Sequence, residues 1–272
     1  MSLKYKIGFI GVGNMAQTII KGLIESKVIA PSQIFAYNRT PGKLIKAKES
    51  WGIQAVANNE EVIENSDIVV LAMKPQDFNT AIEPIRSIFN EKQIVISLAA
   101  GISLSTLGKK LPQCRIIRVM PNTPSLIGKG VIGHLADEGD AYLETIVEDL
   151  FKPLGFVIKT EDEEQFDALM ISCSSGTGFV FELMMYFQEW IEERGFDPIT
   201  AKRMVIETFV GASQLAQQQK ETSLEDLQNK VSSKKGITAA GLESMRELEI
   251  ERLLRYSFEK ASLRNQELAK QS

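Results

Sequence analysis

Short apolar runs alternate with amphipathic stretches through the first part of the chain, and longer amphipathic stretches follow in the second. Lys6–Ile10, Gln33–Tyr37, Ile68–Leu71, Ile94–Ser97 and Arg115–Val119 read as strands. Ile68-Val69-Val70-Leu71 and Ile94-Val95-Ile96 are continuous and β-branched, as strands covered on both faces should be. Between the strands, Met15–Ser26, Thr80–Phe89 and Leu104–Lys110 carry helical periodicity, the last started by Ser103 as an N-cap and stopped by Pro112. This alternation predicts an α/β fold with a doubly wound parallel sheet of Rossmann type, closed by a strand near Phe156–Lys159. Beyond it the pattern predicts an all-helical part over Glu163–Arg194, Pro198–Gln219, Leu224–Lys230 and Thr238–Lys270. Asp197 before Pro198, and Ser223 three residues before Asp226, are helix-start signals. Chain breakers divide the same way: eight of the nine prolines lie at or before Pro153. The boundary is therefore placed in the polar stretch beginning at Thr160, giving domains 1–160 and 161–272. A last helix of roughly 33 residues would be about 50 Å long. It overshoots a domain of this size, which predicts packing against a second subunit.

Composition narrows the chemistry. With 44% hydrophobic and 24% charged residues the 272-residue chain is an ordinary globular one. Its net charge of −4 lacks the phosphate-neutralising excess that general nucleic-acid binding needs. Cys114 and Cys173 are far apart and form no C-x-x-C pair, which removes a cysteine-built zinc site and a disulfide framework and points to a reducing cytoplasm. No metal is expected. The single histidine, His134, leaves no two-histidine mechanism and reads as a surface or strand-end residue. The start of the chain shows no basic leader with an apolar core and cleavage site. The longest uncharged apolar run, Ala168–Phe181, is shorter than the roughly 20 residues of a bilayer span, and is expected to be a buried helix rather than a membrane segment.

One motif carries the first functional expectation. Gly11-Val12-Gly13-Asn14-Met15-Ala16 is G-x-G-x-x-A, directly after an apolar strand and opening a helical pattern. Gly11 permits the tight turn, Gly13 lets the backbone approach a pyrophosphate, and Ala16 lets helix and strand pack closely. The helix start offers N–H groups and a positive dipole end to the phosphates. The bland alternative is a glycine-rich turn with no ligand. The second strand ends in Tyr37-Asn38-Arg39-Thr40, without the acid that binds the ribose of NAD. Arg39 can fork a 2′-phosphate, with hydrogen bonds from Asn38 and Thr40, so NADP is expected over NAD.

Three further segments end strands: Leu71-Ala72-Met73-Lys74-Pro75-Gln76, Ser97-Leu98-Ala99-Ala100-Gly101-Ile102 and Arg118-Val119-Met120-Pro121-Asn122-Thr123-Pro124. Together with the glycine loop they resemble the Δ1-pyrroline-5-carboxylate reductase family over nearly the whole chain, the M-P-N-T-P segment being the most specific. Ligands of open α/β sheets sit beyond the carboxyl ends of the strands. Ala72, Met73, Lys74, Pro75, Ala99, Ala100, Gly101 and Asn122 are therefore expected to line the cofactor crevice, Asn122 toward the nicotinamide. Each alone could merely stop a strand. Cys173–Phe179 stands where the family has a small-residue segment; there helix–helix contact is expected, with Cys173 a small core residue.

The resemblance implies reduction of a cyclic imine to proline, the last step of proline synthesis. In the family, the loop that here reads Val231-Ser232-Ser233-Lys234-Lys235-Gly236-Ile237-Thr238 holds the substrate carboxylate and ring nitrogen. Ser233 and the Gly236 backbone are thus expected on the carboxylate and Thr238 on the nitrogen, as the catalytic residue. Lys234, Lys235 and Ile237 depart from the family pattern. Were the family's loop glycine at positive φ, Lys235 there would cost about 1–2 kcal/mol. An altered substrate, or a cofactor-binding protein with a regulatory role and no turnover, is the competing reading. A hydroxyacid dehydrogenase is a third, with Lys202 its only candidate lysine. A small-molecule substrate and a homodimer through the C-terminal helices, or a higher oligomer, complete the expectations.

Overall fold

The computed structural model describes residues 3–137 and 140–270. Its sheet has eight strands in the order β3-β2-β1-β4-β5-β6-β7-β8: β1 Ile7–Ile10, β2 Ile34–Tyr37, β3 Gln54–Ala55, β4 Ile68–Leu71, β5 Ile94–Ser97, β6 Arg115–Met120, β7 Gly130–Ala136 and β8 Gly155–Lys159. The first six run parallel, β7 is antiparallel to β6, and β8 follows β7 in parallel. The parallel doubly wound core agrees with the sequence pattern. The reversal at β7 does not, because Gly130–Ala136 was not read as a strand. This corrects the reading of His134: it is buried inside β7, 1% exposed, and is not a surface residue.

Burial explains why the strands need no alternation. Every residue of β1, β4 and β5 is buried. One set (Ile7, Phe9, Ile68, Val70, Ile94, Ile96) packs under helices α1 (Asn14–Glu25), α2 (Pro41–Trp51) and α6 (Ala141–Phe151). The other (Ile10, Val69, Leu71, Val95) packs under α3 (Asn59–Glu64), α4 (Phe78–Ile82) and α5 (Leu104–Lys110). Ser103 caps α5 by accepting from the Thr106 N–H at 3.1 Å. The helix expected over Thr80–Phe89 is cut short at Ile82. Pro84 has no N–H to offer, and the chain continues in turns.

The helical part begins with α7 (Glu163–Leu169), a π-turn over Met170–Ser175, and α8 (Gly176–Glu192). α9 (Pro198–Gln218) and α10 (Leu224–Val231) follow, capped by Asp197 and Ser223 as the start signals predict. The single long terminal helix does not exist. It is two helices, α11 (Ile237–Glu247) and α12 (Ile250–Lys270), broken where Glu249 sits at φ 50°. Nothing in Glu247-Leu248-Glu249-Ile250 signals that break.

Contacts divide the chain into two compact units: residues up to Thr177 together with those from Ala261 onward, and Gly178–Lys260. In the first, α12 returns to the sheet, where the backbone at Ala269 approaches Gly101. The second keeps almost nothing inside: Ala201 and Val205 are its buried apolar residues. Phe179 meets Phe258, and Phe187 meets Phe209, at centroid distances of 5.5 and 5.4 Å. The expected burial of Ala168–Phe181 holds only at Met170, Ile171 and Gly176; Ala168, Val180 and Phe181 are exposed. Glu163–Glu192 is, by length and composition, apolar enough to cross a membrane, and 17% of its apolar window is buried.

Candidate functional site

The carboxyl ends of β1, β2, β4 and β5 are stitched into one crest. Gly11 donates its N–H to the Tyr37 carbonyl, Ala72 to Ile10, and Leu98 to Leu71, at 2.9, 2.9 and 3.0 Å. Gly11 stands at φ 99°, and a side chain there would meet the Ala72 carbonyl at 3.0 Å, so only glycine lets β1 turn this close to β4. Gly13 faces open space, with no atom within 4 Å of where a Cβ would be. It is also the N-cap of α1, and no side chain caps that end. The first N–H groups of α1 are thus presented to an open hollow, which fits a pyrophosphate. Ala16 is 1% exposed beneath it. Met15 is partly buried against the core, and Asn14 is exposed.

At the end of β2 the predicted residues have separate duties. Asn38 accepts the Val12 N–H at 2.8 Å and donates to the Thr40 carbonyl at 2.7 Å, so its amide shapes the glycine loop. Arg39 is exposed and pairs with Asp77 at 3.2 Å. Lys43, in the first turn of α2, donates to the Asn14 side chain at 2.9 Å. Sequence reasoning missed both Asp77 and Lys43. Lys43 follows Arg39 by one helical turn across Pro41, which was the available signal.

The other strand ends are less open than expected. Lys74 is exposed at the start of the turn Pro75–Asp77. Ala72 and Met73 pack against the two core faces. Ala99 is 2% exposed, and Ala100 packs on Met120, Leu135, Phe166 and Met170. Gly101, at φ 72°, has the α12 backbone 3.2 Å from its would-be Cβ. Asn122 is 6% exposed and holds structure with both ends of its amide. It accepts from Val131 N–H at 2.9 Å and donates to the Cys173 carbonyl at 3.1 Å. Thr177 donates to that same carbonyl at 3.0 Å. Two side chains thus meet on this carbonyl, which lies in the π-turn. Cys173 itself is half-buried.

The polar stretch read as a domain boundary is an anchor. Glu163 accepts the Leu104 N–H at 2.7 Å and pairs with Arg118, which is 2% exposed and stacks on Phe166. Thr160 donates twice to the His134 carbonyl. The His134 imidazole is held below its ordinary pKa by burial, and its Nδ1 lacks a partner among the described residues.

In the second unit, Ser233–Gly236 forms a tight turn closed by the Gly236 N–H on the Ser233 carbonyl at 2.9 Å. The Gly236 N–H is thereby used. A Cβ at Gly236 would fall 2.3 Å from the Ser233 hydroxyl. Lys235 stands at φ 60°, the left-handed conformation in which a side chain is strained. Gly236 is the N-cap of α11 and no side chain caps that end, so Ile237 and Thr238 open the helix with unclaimed N–H groups, Thr238 being exposed.

Residues 6–101 match a family model described as NADP oxidoreductase coenzyme F420-dependent, and residues 163–268 one described as pyrroline-5-carboxylate reductase dimerisation. The chain is 32% identical to the pyrroline-5-carboxylate reductase of Pseudomonas aeruginosa, over 98% of this chain and 97% of that one. It is 30% identical to pyrroline-5-carboxylate reductase 2 of Bacillus subtilis, over 98% and 96%. The solved structure of a pyrroline-5-carboxylate reductase from Coxiella burnetii superposes with a TM-score of 0.89 at 33% identity, over 98% of this chain and 99% of that one. The Plasmodium falciparum pyrroline carboxylate reductase with NADP bound shares the fold, at a TM-score of 0.88 and 22% identity, covering 99% and 100%.

Proposed function

The chain belongs to the pyrroline-5-carboxylate reductase family, and from that premise we propose how its residues serve the family's reaction. It is an oxidoreductase that reduces 1-pyrroline-5-carboxylate to proline, the closing step of proline biosynthesis, with NADP as its cofactor. The observation that carries the cofactor assignment is the uncapped, open start of α1 behind Gly11 and Gly13. Bound NADPH supplies a hydride to the carbon of the C=N bond, whose nitrogen already carries a proton.

Residues 1–160 form the dinucleotide-binding part and 161–272 the part for substrate and dimerisation. The N–H groups from Asn14 through Ala16 bind pyrophosphate. Arg39 and Thr40 take the 2′-phosphate, and Asn38 keeps the glycine loop in shape. The strand-end residues Ala72–Pro75 and Ala99–Gly101 shape the crest, and Asn122 fixes the loop after β6. At the start of α11, Ser233 and the free helix N–H groups hold the substrate carboxylate, with Gly236 leaving room for the Ser233 hydroxyl. The Thr238 hydroxyl accepts a hydrogen bond from the protonated ring nitrogen and holds the C=N carbon in place for the hydride. No residue forms a covalent bond to substrate, in keeping with a protonated imine that is already electrophilic.

The exposed apolar face of α8, α9, α11 and α12 supports a homodimer, or a higher oligomer, because a soluble chain does not leave so many large side chains uncovered. The family model over the same helices is one of dimerisation. Two unpaired cysteines, Cys114 and Cys173, agree with the cytoplasm.

Thr238→Val tests the mechanism. It removes a hydrogen bond to a charged group, about 1.5–3 kcal/mol, and should lower kcat/KM roughly 10- to 150-fold while leaving NADPH affinity unchanged. Unaltered kinetics would remove Thr238 from the reaction. The strained Lys235 favours a second reading, in which this loop accepts another imine or none. NADPH binding without consumption on adding 1-pyrroline-5-carboxylate would select it.

A further inference from the structure

Arg39 and Asp77 come from opposite sides of β1. Arg39 follows β2 and Asp77 closes the turn after β4, and in the sheet β1 lies between those two strands. Flanking strands of one central strand stand about 10 Å apart. The Arg39–Asp77 ion pair at 3.2 Å therefore reaches across the end of β1, in front of the glycine loop. Asp77 is the N-cap of α4, yet its side chain makes no cap hydrogen bond there. Arg39 is 80% exposed on its side chain and Asp77 35%, so the pair can open at little cost.

We propose that Asp77 is a specificity-determining residue for the cofactor, competing with the 2′-phosphate for the Arg39 guanidinium. The inference rests on the reading that Arg39 binds that phosphate. A dianionic phosphate arriving at Arg39 must either displace the Asp77 carboxylate or sit beside it, and both weaken NADPH relative to a chain without this acid. NADH has no 2′-phosphate and leaves the pair intact. The carboxylate thus narrows the preference that Arg39 creates.

The experiment titrates NADPH and NADH, by nicotinamide fluorescence, into the full chain and into Asp77→Asn, Asp77→Ser and Arg39→Ala. Both Asp77 variants should bind NADPH about two- to fivefold more tightly, with NADH changed by less than that. A merely structural Asp77 would shift both cofactors together, and that result overturns the proposal. So does NADPH affinity that stays constant or weakens in the Asp77 variants while Arg39→Ala loses it. If Arg39→Ala binds NADPH as well as the parent, the phosphate assignment itself has failed and the proposal with it.

Discussion

The two compact units of this chain solve the same problem in opposite ways. The unit around the sheet hides its apolar residues on both faces of buried strands, and its exposed groups are mostly polar. The unit Gly178–Lys260 has nearly as apolar a sequence in α8, yet Phe181, Met185, Tyr186 and Trp190 lie open. The first can be understood from one chain. The second leaves its apolar stripe uncovered, the face that the proposed homodimer would bury.

Charge on the open stripe should have the largest effect. Phe181→Glu combined with Trp190→Glu, both at exposed positions, should convert the oligomer to monomers in light scattering and abolish turnover. NADPH binding by the sheet unit should persist. An oligomer that survives both charges would refute the assigned face. A side chain on the crest comes next. Gly11→Ala forces a Cβ against the Ala72 carbonyl in a conformation that favours glycine. The expected strain of about 1–3 kcal/mol should weaken NADPH roughly tenfold or more in a binding titration.

Acid should expose His134. Burial lowers its pKa in the folded chain, with Glu144 and Glu148 opposing and Lys159 assisting. The unfolded chain therefore binds more protons below its ordinary value of about 6.5, and stability falls as pH drops through that value. As pH falls through about 6.5 the parent should lose more stability than His134→Asn in denaturant titrations. Equal acid losses would show that His134 does not contribute. The smallest effect is expected at Lys235→Gly. Relief of about 1–2 kcal/mol of left-handed strain, less the entropy cost of glycine of about 0.5–1 kcal/mol, should leave a slightly more stable protein, read as a modest rise in Tm.

How much of this was legible in the sequence follows from the same contrast. Continuous β-branched runs and a G-x-G-x-x-A turn are local signals, and β1, β4, β5 and the capped α5 stand where those signals put them. β7 was missed because Gly130-Val131-Ile132-Gly133-His134 has two glycines and no clear period. The break at Glu249 has no breaker residue beside it. For the site, residue types were readable but their employment was not. Asn38 and Asn122 are amides whose donors and acceptors could face a ligand, yet both turn inward to hold loops. The Arg118–Glu163 anchor joins residues 45 apart in sequence, and only the folded sheet brings them together.

The central claim is that the chain binds NADPH at the crest of its sheet and reduces a cyclic imine. Purified full-length protein mixed with NADPH and 1-pyrroline-5-carboxylate tests it most directly, with cofactor absorbance and proline measured in the same sample. One proline should form for each NADPH consumed. Bound NADPH that is never oxidised, with no proline appearing, would contradict it.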